Sequence, residues 1–394
     1  MPYPTVRIQP GRDKRLRNGS PWLYSNELSM DDTAKSLEPG SLVRIMAGEG
    51  RIMGVAHFNP KSLIAARMLT RNKDADIDAE FFRFRIRRAL SLRTRIFDRP
   101  FYRLIHAEGD GLPGLVIDRY GDVLVVQFNS AGMERHAALL VELLEELLQP
   151  LAILARNDAP VRELEGLPSS RSVLAGEVPP ASVIEENGLE FEITLGEGQK
   201  TGWYFDQRDN RAFVRRLATD MNVLDLYSYG GGFGLNALAG GARAALLVDR
   251  SEQALASARQ SALRQGRADD IETLCGDVFH EAASLIDARR RFGVVIADPP
   301  PFVRSKKDLA TGLKGYRKLA RMSSALVEDG GFLAVGCCSH NVPASDFHDM
   351  VWAGMRAAGR GGRVIRFSGA GADHPVHPGL PETSYLKFLV MALD

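Results

Sequence analysis

The sequence predicts a multidomain protein with a small β-rich domain, a central α+β domain and a C-terminal α/β domain with a mostly parallel seven-stranded sheet. The length of 394 residues corresponds to about two to three domains of ordinary size. From residue 220 onward, five strand-like runs alternate with helical patterns, as in a parallel, doubly wound sheet. The chain ends in two strand-like runs without a helix between them, RVIRFSG and TSYLKFLVMAL, so we expect one antiparallel strand in that sheet.

The N-terminal domain is predicted over residues 1–74. Pro-Gly and Asn-Pro breaks separate short alternating stretches there, namely TVRIQP, SLVRIMA, RIMGVAHF and LIAARML. Such stretches are typical of a small β-rich domain. Residues 75–97 predict a long helix that leaves this domain and begins the next one.

The central domain is predicted over residues 75–190. Strand candidates flank a Gly-rich break in FYRLIHAEGDGLPGLVIDRYGDVLVVQFN, and GMERHAALLVELLEELLQPL has the apolar period of a helix. Two further strands are expected near LAILARN and SVIEENGLEFEITLG. Residues 191–394 form the predicted α/β domain, with strands in VLDLYSY, AALLVD, IETLCGD, FGVVIADPP and FLAVGCC.

Composition narrows the class of protein. The chain is 45% hydrophobic and 25% charged, which is ordinary for a globular protein with hydrophobic cores. Its first residues have no apolar signal-peptide region, and no run approaches the length of a membrane span. Three cysteines do not make a disulfide framework, so we expect a reduced, cytoplasmic protein.

Charge is unevenly distributed. The net charge of +1 argues against indiscriminate nucleic-acid binding, but Arg12, Lys14, Arg15 and Arg17 lie close together and six arginines lie within 83–95. Local basic patches fit a large RNA partner, in which phosphates supply affinity. Solvated helix faces explain the second cluster equally well.

Ligands of an open parallel sheet bind where the strands end. Glycines 230–232 follow VLDLYSY and open a helix, Asp249 follows the second strand, and Gly276-Asp277 follows the third. Glycines allow a close backbone approach to a ligand, and an acid after the second strand can bind two ribose hydroxyls. The order is typical of class I S-adenosylmethionine (SAM) methyltransferases. Tight turns and helix caps are the alternative.

The fourth strand ends in Asp298-Pro299-Pro300-Pro301-Phe302 and the fifth in Cys337-Cys338-Ser339-His340. Strands four and five are neighbours in this topology, so we expect Asp298 and Cys338 to face one pocket. A thiolate that adds to carbon 6 of cytosine makes carbon 5 able to attack the SAM methyl group, and an acid near N3 stabilises the adduct.

The two adjacent cysteines have several interpretations. Free cysteine is often a buried core residue, and Cys337 is expected to be one because neighbouring strand residues point to opposite faces. Cys275 precedes a different strand end and no second CxxC occurs, so we expect no metal site. His340 is either a proton acceptor or a solvent-facing loop residue.

Over essentially its whole length the sequence resembles the bacterial 23S rRNA cytosine-C5 methyltransferases of the large-subunit methyltransferase I family. GRDKRLRNGSPWLYSNEL and GVAHFNPKSLIAARML are similar to that family's RNA-binding PUA domain. RLIHAEGDGLPGLVIDRYGD, RNDAPVRELEGLP and VIEENGLEF are similar to its central domain. The most specific stretches are GQKTGWYFDQRDNR, LDLYSYGGGFGLNAL and DPPPFVRSK, of which the last two belong to a Rossmann-like methyltransferase domain.

The resemblance implies the site residues. Asp298 and Cys338 are the implied catalytic pair. The implied cofactor is SAM, and the implied partner is an RNA, namely 23S rRNA. The implied cofactor-binding residues are Gln207, Arg208, Tyr227, Ser228, Gly230, Gly232, Phe233, Asp249, Arg250, Ser251, Asp277, Val278 and Asp298. The implied substrate-binding residues are Pro299, Pro300, Phe302, Arg12, Lys14 and Arg15.

One position departs from the family's pattern. The family has a serine where this chain has Cys337, and we choose Cys338 as the nucleophile because it directly precedes Ser339-His340. Two other functions stay open: a guanine or amine methyltransferase of RNA with structural cysteines, and a non-catalytic SAM-binding RNA assembly factor. The sequence leaves the modified nucleotide and the oligomeric state open, a symmetric dimer included.

Overall fold

The computed structural model describes residues 3–195 and 202–394. Contacts divide the chain into two compact units. The N-terminal unit is Met1–Pro180 with Leu195–Thr201 and Ala372–Thr383. The C-terminal unit is Ala181–Thr194 with Gly202–Gly371 and Ser384–Asp394. The finer division at residues 74 and 190 stays a prediction.

The N-terminal unit begins with a five-stranded sheet in the order β1-β3-β4-β5-β2. Its elements are β1 (Thr5–Arg7), α1 (Lys14–Arg17), β2 (Trp22–Leu23), α2 (Asp32–Ser36), β3 (Ser41–Met46), β4 (Ile52–Phe58) and β5 (Ala66–Thr70). Leu16, Val43 and Phe58 are among the side chains that fill its core. The predicted β-rich N-terminus is confirmed.

A second five-stranded sheet, in the order β10-β9-β8-β7-β6, follows the helix that was predicted to leave the first. Its elements are α3 (Ala79–Ile96), β6 (Phe101–His106), β7 (Leu115–Tyr120), β8 (Val123–Phe128), α4 (Ala131–Arg135), α5 (Ala137–Leu148), β9 (Ala152–Asn157), α6 (Val161–Leu164) and β10 (Ser170–Gly176). Asp78 caps α3 by accepting a hydrogen bond from the amide of Phe81. The apolar face of α3, including Phe82 and Ile86, is buried in the same core as the sheet.

Two details differ from the sequence prediction. The helix expected over GMERHAALLVELLEELLQPL is two helices, because the backbone of His136 leaves the helical region at φ −101° and ψ 9°. Strand β10 was not predicted, because nearly all of its side chains are exposed and it lacks an alternating apolar pattern. The stretch SVIEENGLEFEITLG forms a hairpin, β11 (Ser182–Glu186) and β12 (Leu189–Ile193), joined at Asn187-Gly188. This hairpin belongs to the C-terminal unit.

The C-terminal unit contains the predicted seven-stranded sheet, in the order β15-β14-β13-β16-β17-β19-β18. Its strands are β13 (Asn222–Leu226), β14 (Ala244–Asp249), β15 (Ile271–Cys275), β16 (Phe292–Ala297), β17 (Val327–Cys337), β18 (Gly362–Ser368) and β19 (Lys387–Leu393). Strand β19 pairs antiparallel with both of its neighbours, while β13 to β17 pair in parallel. The doubly wound sheet with one antiparallel strand is therefore confirmed.

One helix precedes this sheet, and a helix follows each of its five parallel strands. They are α7 (Arg208–Arg215), α8 (Gly232–Ala239), α9 (Glu252–Arg264), α10 (Val278–Asp287), α11 (Leu309–Ala325) and α12 (Ala344–Ala357). Leu226, Val295 and Val335 on three neighbouring strands belong to one core cluster with α10, α11 and α12 residues. Across residues 3–195 and 202–394, no helix is both long and apolar enough to cross a membrane.

Candidate active site

The turn after β13 has an unusual backbone. Tyr227 and Tyr229 both have left-handed φ values, of 64° and 48°. Bulky side chains are rare in this region, and such strain occurs mainly at binding and catalytic sites. Gly230 and Gly232 leave room beside Trp203, because a Cβ atom at either position would lie 3.2 Å from its indole ring. The sequence thus holds an open backbone turn at the carboxyl edge of the sheet.

Asp249 fixes this turn. Its Oδ2 accepts a hydrogen bond from the amide of Tyr229 at 2.9 Å, and its Oδ1 accepts one from the amide of Ser251, also at 2.9 Å. The hydroxyl of Ser228 is buried and has no hydrogen-bond partner in the described part of the chain. A buried polar atom without a partner is costly unless a ligand or water satisfies it. Asp249, the predicted ribose-binding residue, thus fixes the turn, and Ser228 places an unsatisfied hydroxyl within it.

The residues predicted to flank the adenine begin α10. Asp277 caps this helix, with Oδ1 accepting from the amides of Phe279 at 3.0 Å and His280 at 3.2 Å. The other oxygen of Asp277, Oδ2, takes no part in the cap and lies 4.0 Å from the guanidinium of Arg250. Val278, the first residue of the helix, is buried. Burial raises the pKa of Tyr227 and the nearby Asp277 carboxylate raises it further, so the Tyr227 hydroxyl stays neutral at physiological pH.

A buried acid lies beneath the glycine turn. Asp225 on β13 accepts a hydrogen bond through Oδ2 from the amide of Gly234 at 2.9 Å, and its Oδ1 has no partner among the described residues. Burial raises the pKa of Asp225 to about 7, the Gly234 amide opposes the rise, and the Asp298 and Asp249 carboxylates add to it. The acid therefore titrates near neutral pH, with two further acids close by.

The predicted catalytic residues lie together at the ends of β16 and β17. Sγ of Cys338 lies 3.6 Å from the carbonyl oxygen of Pro299, directly after Asp298. Any side chain at Gly336 would collide with the Asp298 carboxylate. The expectation that strands four and five bring Asp298 and Cys338 to one place agrees with these contacts, whereas Cys337 is fully buried in the core.

A chain of hydrogen bonds orients Asp298. Nε2 of Gln207 donates to Oδ1 of Asp298 at 2.9 Å, and Oε1 of Gln207 accepts from Nδ2 of Asn210 at 2.7 Å. Oδ1 of Asn210 in turn accepts from the hydroxyl of Ser368 at 2.7 Å. All donors point toward the carboxyl group of Asp298, so the chain fixes its orientation.

The loop that holds Cys338 rests on a buried lysine. Nζ of Lys387 donates to the carbonyl oxygens of Ser339 at 2.6 Å and Val342 at 2.9 Å. Burial lowers the pKa of Lys387, and the Cys337 and Cys338 thiols oppose this shift. The Lys387 side chain therefore lies near both thiols.

Other predicted residues have varied surroundings. Phe302 is half buried, with its ring centroid 4.8 Å from that of Tyr316. Pro299 is buried and Pro300 is exposed. The His340 ring is exposed, with its centroid 5.1 Å from that of Tyr385.

Aromatic rings also contact Phe233 and Arg208. Phe233 stacks on Phe388 at 5.4 Å, and the Arg208 guanidinium lies 5.3 Å from the ring centroid of Phe205. Residues 198–201, which begin the predicted signature GQKTGWYFDQRDNR, lie outside the described residues.

The predicted RNA-binding residues Arg12, Lys14 and Arg15 lie in the N-terminal unit. Arg12 and Lys14 are exposed, and the guanidinium of Arg15 lies 4.6 Å from the ring centroid of Tyr24. No group of three or more His, Cys, Asp or Glu side chains in the described ranges is arranged to hold a metal ion.

Sequence reasoning missed two residues of this site, Asn210 and Lys387. Asn210 looks like any polar helix residue, and its partner Ser368 is 158 residues away. A usable signal did exist for Lys387, because it is the one charged residue of the otherwise apolar strand KFLVMAL. A lone lysine in a central strand is seldom buried without a function.

Comparisons with known proteins agree with this arrangement. Residues 103–368 match the S-adenosylmethionine-dependent methyltransferase family, and residues 6–71 match PUA-like domains. A ribosomal RNA large subunit methyltransferase I from Aliivibrio fischeri (strain MJ11) is 39% identical over 97% of this chain and 98% of its own length. The protein of that name from Pseudoalteromonas atlantica (strain T6c) is 36% identical over 98% of both chains.

Solved structures share the fold. A candidate SAM-dependent methyltransferase from Streptococcus mutans superposes with a TM-score of 0.84 at 20% identity, over 99% of this chain and 100% of its own. A candidate methyltransferase complexed with SAH gives a TM-score of 0.85 at 21% identity over the whole of both chains. With near-complete coverage by close relatives, the chain belongs to the ribosomal RNA large subunit methyltransferase I family of SAM-dependent methyltransferases.

Proposed function

We propose that this protein methylates carbon 5 of a cytosine in large-subunit ribosomal RNA, through a covalent adduct between Cys338 and carbon 6. SAM-dependent methylation of large-subunit rRNA follows from family membership. The finer assignment to cytosine C5 depends on one observation, the position of the Cys338 thiol beside the Asp298-Pro299 turn, 3.6 Å from the Pro299 carbonyl oxygen.

The thiol begins the reaction. The Cys338 thiolate forms a bond to carbon 6, and the electrons of the C5–C6 double bond move into the ring toward N3. Lys387 supports this step in two ways, because its ammonium holds the carbonyls of Ser339 and Val342 and favours a negative charge nearby. The loop is thus preorganised before the base arrives.

Asp298 stabilises the adduct. Its carboxyl group gives a proton to N3 as the ring electrons arrive there. The resulting carboxylate, whose Oδ1 accepts a hydrogen bond from Gln207, then accepts a hydrogen bond from N3–H. The chain through Gln207 and Asn210 fixes the carboxylate, so its orientation toward the base costs little at the moment of reaction.

SAM supplies an electrophilic methyl group, which the activated carbon 5 takes up. A base then removes the carbon 5 proton, the C6–Sγ bond breaks, and the double bond and the free thiolate are restored while N3 returns its proton to Asp298. His340, two residues after Cys338, is the side chain to test for this proton transfer. Each methylation thus returns Cys338 to its starting state.

Methylation of a guanine or an amine is the alternative reaction, and it needs no thiol. A non-catalytic assembly factor would need neither the thiol nor a supporting network. The hydrogen bonds that converge on Asp298 and the Cys338 loop favour the C5 reaction over both.

The test compares wild type with Cys337→Ala and Cys338→Ala on unmodified 23S rRNA, with labelled SAM and mass spectrometry of the product nucleoside. We expect 5-methylcytidine from wild type and Cys337→Ala, and none from a Cys338→Ala protein that still folds and binds SAM. RNA that contains 5-fluorocytidine should trap wild type covalently, because fluorine cannot leave as a proton does. Full activity of Cys338→Ala, or a methylated guanine as the product, would overturn the proposal.

A further inference from the structure

We infer that the C-terminal unit has its own RNA-backbone surface, formed by the connection 304–307 and the exposed face of α11, which holds phosphates flanking the target nucleotide. This inference deepens the proposed function and rests on RNA being the substrate. We call this surface the α11 track; its cations are Arg304, Lys306, Lys307, Lys314, Arg317, Lys318 and Arg321.

The α11 track begins at the proposed catalytic residues. Its first residue, Arg304, has its backbone carbonyl hydrogen-bonded to Nδ2 of Asn341 at 3.1 Å, in the loop that follows Cys338. The hydroxyl of Ser339 donates to the carbonyl of Val303 at 2.5 Å. The connection therefore lies beside the loop that holds Cys338, where it can contact the backbone of a nucleotide bound there.

The helix continues from the same turn. Gly312 and Gly315 of α11 pack closely on Phe302, since a Cβ atom at Gly315 would lie 3.0 Å from its ring. On the opposite side, Lys314, Arg317, Lys318 and Arg321 are exposed. Their spacing of three and four residues places them along one helix face, which is thus a continuous basic stripe.

Charge balance distinguishes this stripe from an ordinary solvated helix. The segment 304–321 contains seven Lys or Arg residues and a single acid, Asp308. Asp308 accepts from the amide and hydroxyl of Ser305, at 3.1 and 2.8 Å. In the described part of the chain, no carboxylate lies within 4.0 Å of any of the seven cations.

The chemistry of the α11 track fits a polyanion. A chain with a net charge of +1 concentrates unneutralised cations next to its proposed nucleophile. Phosphates spaced along an RNA strand complement a row of cations, and phosphate contacts position a nucleic acid without reading its sequence. Because a base that reacts must be taken out of its stack, its flanking backbone needs such a support.

The experiment measures binding of in-vitro-transcribed 23S rRNA by the full chain between 50 and 200 mM salt. The test variant is Lys314→Gln/Arg317→Gln/Lys318→Gln/Arg321→Gln. The matched control is Arg243→Gln/Arg289→Gln/Arg291→Gln/Arg363→Gln, which removes four exposed cations from the same unit, outside the α11 track. Melting curves and SAM binding verify that both variants are folded.

We expect the test variant to bind at least about tenfold more weakly, and its salt slope to fall by about 0.7–0.9 for each phosphate that the variant no longer neutralises. The control should keep the slope of wild type. Equal affinity and slope for the two variants would overturn the inference. Cys338→Ala should bind RNA normally, and any product formed by the test variant should remain 5-methylcytidine, so failure of the α11 track and failure of the C5 mechanism give different results.

Discussion

Arg93 in the N-terminal unit is buried with both of its terminal nitrogens bonded to Asp110, at 2.8 and 2.7 Å, whereas the buried Asp225 of the C-terminal unit has no ion-pair partner among the described residues. Arg67 repeats the first pattern, because it lies 3.0 Å from both Glu108 and Glu165. Lys387 repeats the second, because its hydrogen-bond acceptors are neutral carbonyls.

The same contrast separates the two basic helices. In α3, Arg83 pairs with Glu146 at 2.7 Å, Arg85 donates to the carbonyls of Gly111 and Leu69, and Arg93 is buried. At these positions, the basic cluster at 83–95 holds the fold together. Among the described residues no carboxylate pairs with the α11 cations, although the ammonium of Lys318 lies 4.5 Å from the ring centroid of Phe279. Charges that are satisfied internally support structure, and those that are left unsatisfied mark where a ligand acts.

The largest effect is expected at the N-terminal pair. Arg93→Ala should lower the free energy of unfolding of the N-terminal unit by about 3–5 kcal/mol, because it leaves Asp110 buried without its cation. Hydrogen exchange followed by mass spectrometry reports on α3 peptides separately from the C-terminal unit. Arg87→Ala, an exposed change on the same helix, serves as the control and should stay within about 0.5 kcal/mol of wild type. If the two variants lost equal stability, Arg93 would not be a structural residue.

The next effect concerns Asp225 and depends on pH. Its folded-state pKa of about 7 lies above the ordinary 3.8, so the folded state binds the proton more tightly than the unfolded state does. Asp225 therefore favours the folded state fully below about pH 4, and this contribution is lost as the pH rises toward about 7. The loss is up to about 4 kcal/mol, at 1.36 kcal/mol for each pKa unit.

Asp225→Asn tests this by removing the titration. The difference in free energy of unfolding between wild type and the variant, followed by urea denaturation from pH 4 to 8, should change steadily and then level off near pH 7. Asp287→Asn, at the end of α10, is an exposed control that should give a difference nearly independent of pH. A flat difference for Asp225 would mean that the acid has a neutralising partner.

Much of the fold is encoded in local patterns. The five parallel strands were visible as apolar runs in the sequence. RVIRFSG with TSYLKFLVMAL predicts the antiparallel β19, because consecutive strands without a crossover helix pair as a hairpin. Strand β10 could not be predicted, because an exposed edge strand has no apolar period. The break at His136 could not either, because the apolar period continues through it.

Only those site residues that directly follow a strand could be predicted from the sequence. Neighbouring parallel strands end at the same edge, so Asp298 and Cys338 could be expected together from topology alone. The chain from Ser368 through Asn210 to Gln207 could not, because it joins residues that only the folded sheet brings into contact. Likewise, sequence alone could not tell the paired arginines of α3 from the cations of α11.

A smaller effect on stability, with a distinct effect on rate, is expected at Lys387. Lys387→Met leaves the carbonyls of Ser339 and Val342 without their donor and should cost about 1–3 kcal/mol. Without the ammonium a thiolate is less favoured, so the methylation rate should require a higher pH. Lys387→Arg keeps a cation and should keep the position of the pH–rate profile. A Met variant with an unchanged profile would show that Lys387 only supports the loop.

The smallest effect is expected for the exposed arginines of α11, because the comparison of the two basic helices predicts that these arginines do not stabilise the fold. Arg317→Ala and Arg321→Ala remove exposed cations that pair with no described carboxylate, so each should change the free energy of unfolding by less than about 0.5 kcal/mol. Alanine also favours a helix at least as well as arginine does. Urea denaturation, with hydrogen exchange of α11 peptides as the readout, measures this free energy directly. The Arg93→Ala and Arg87→Ala variants are measured in the same way for comparison. A loss of about 2 kcal/mol or more would mean that these arginines stabilise the fold as Arg93 does, and the contrast between the two basic helices would no longer hold.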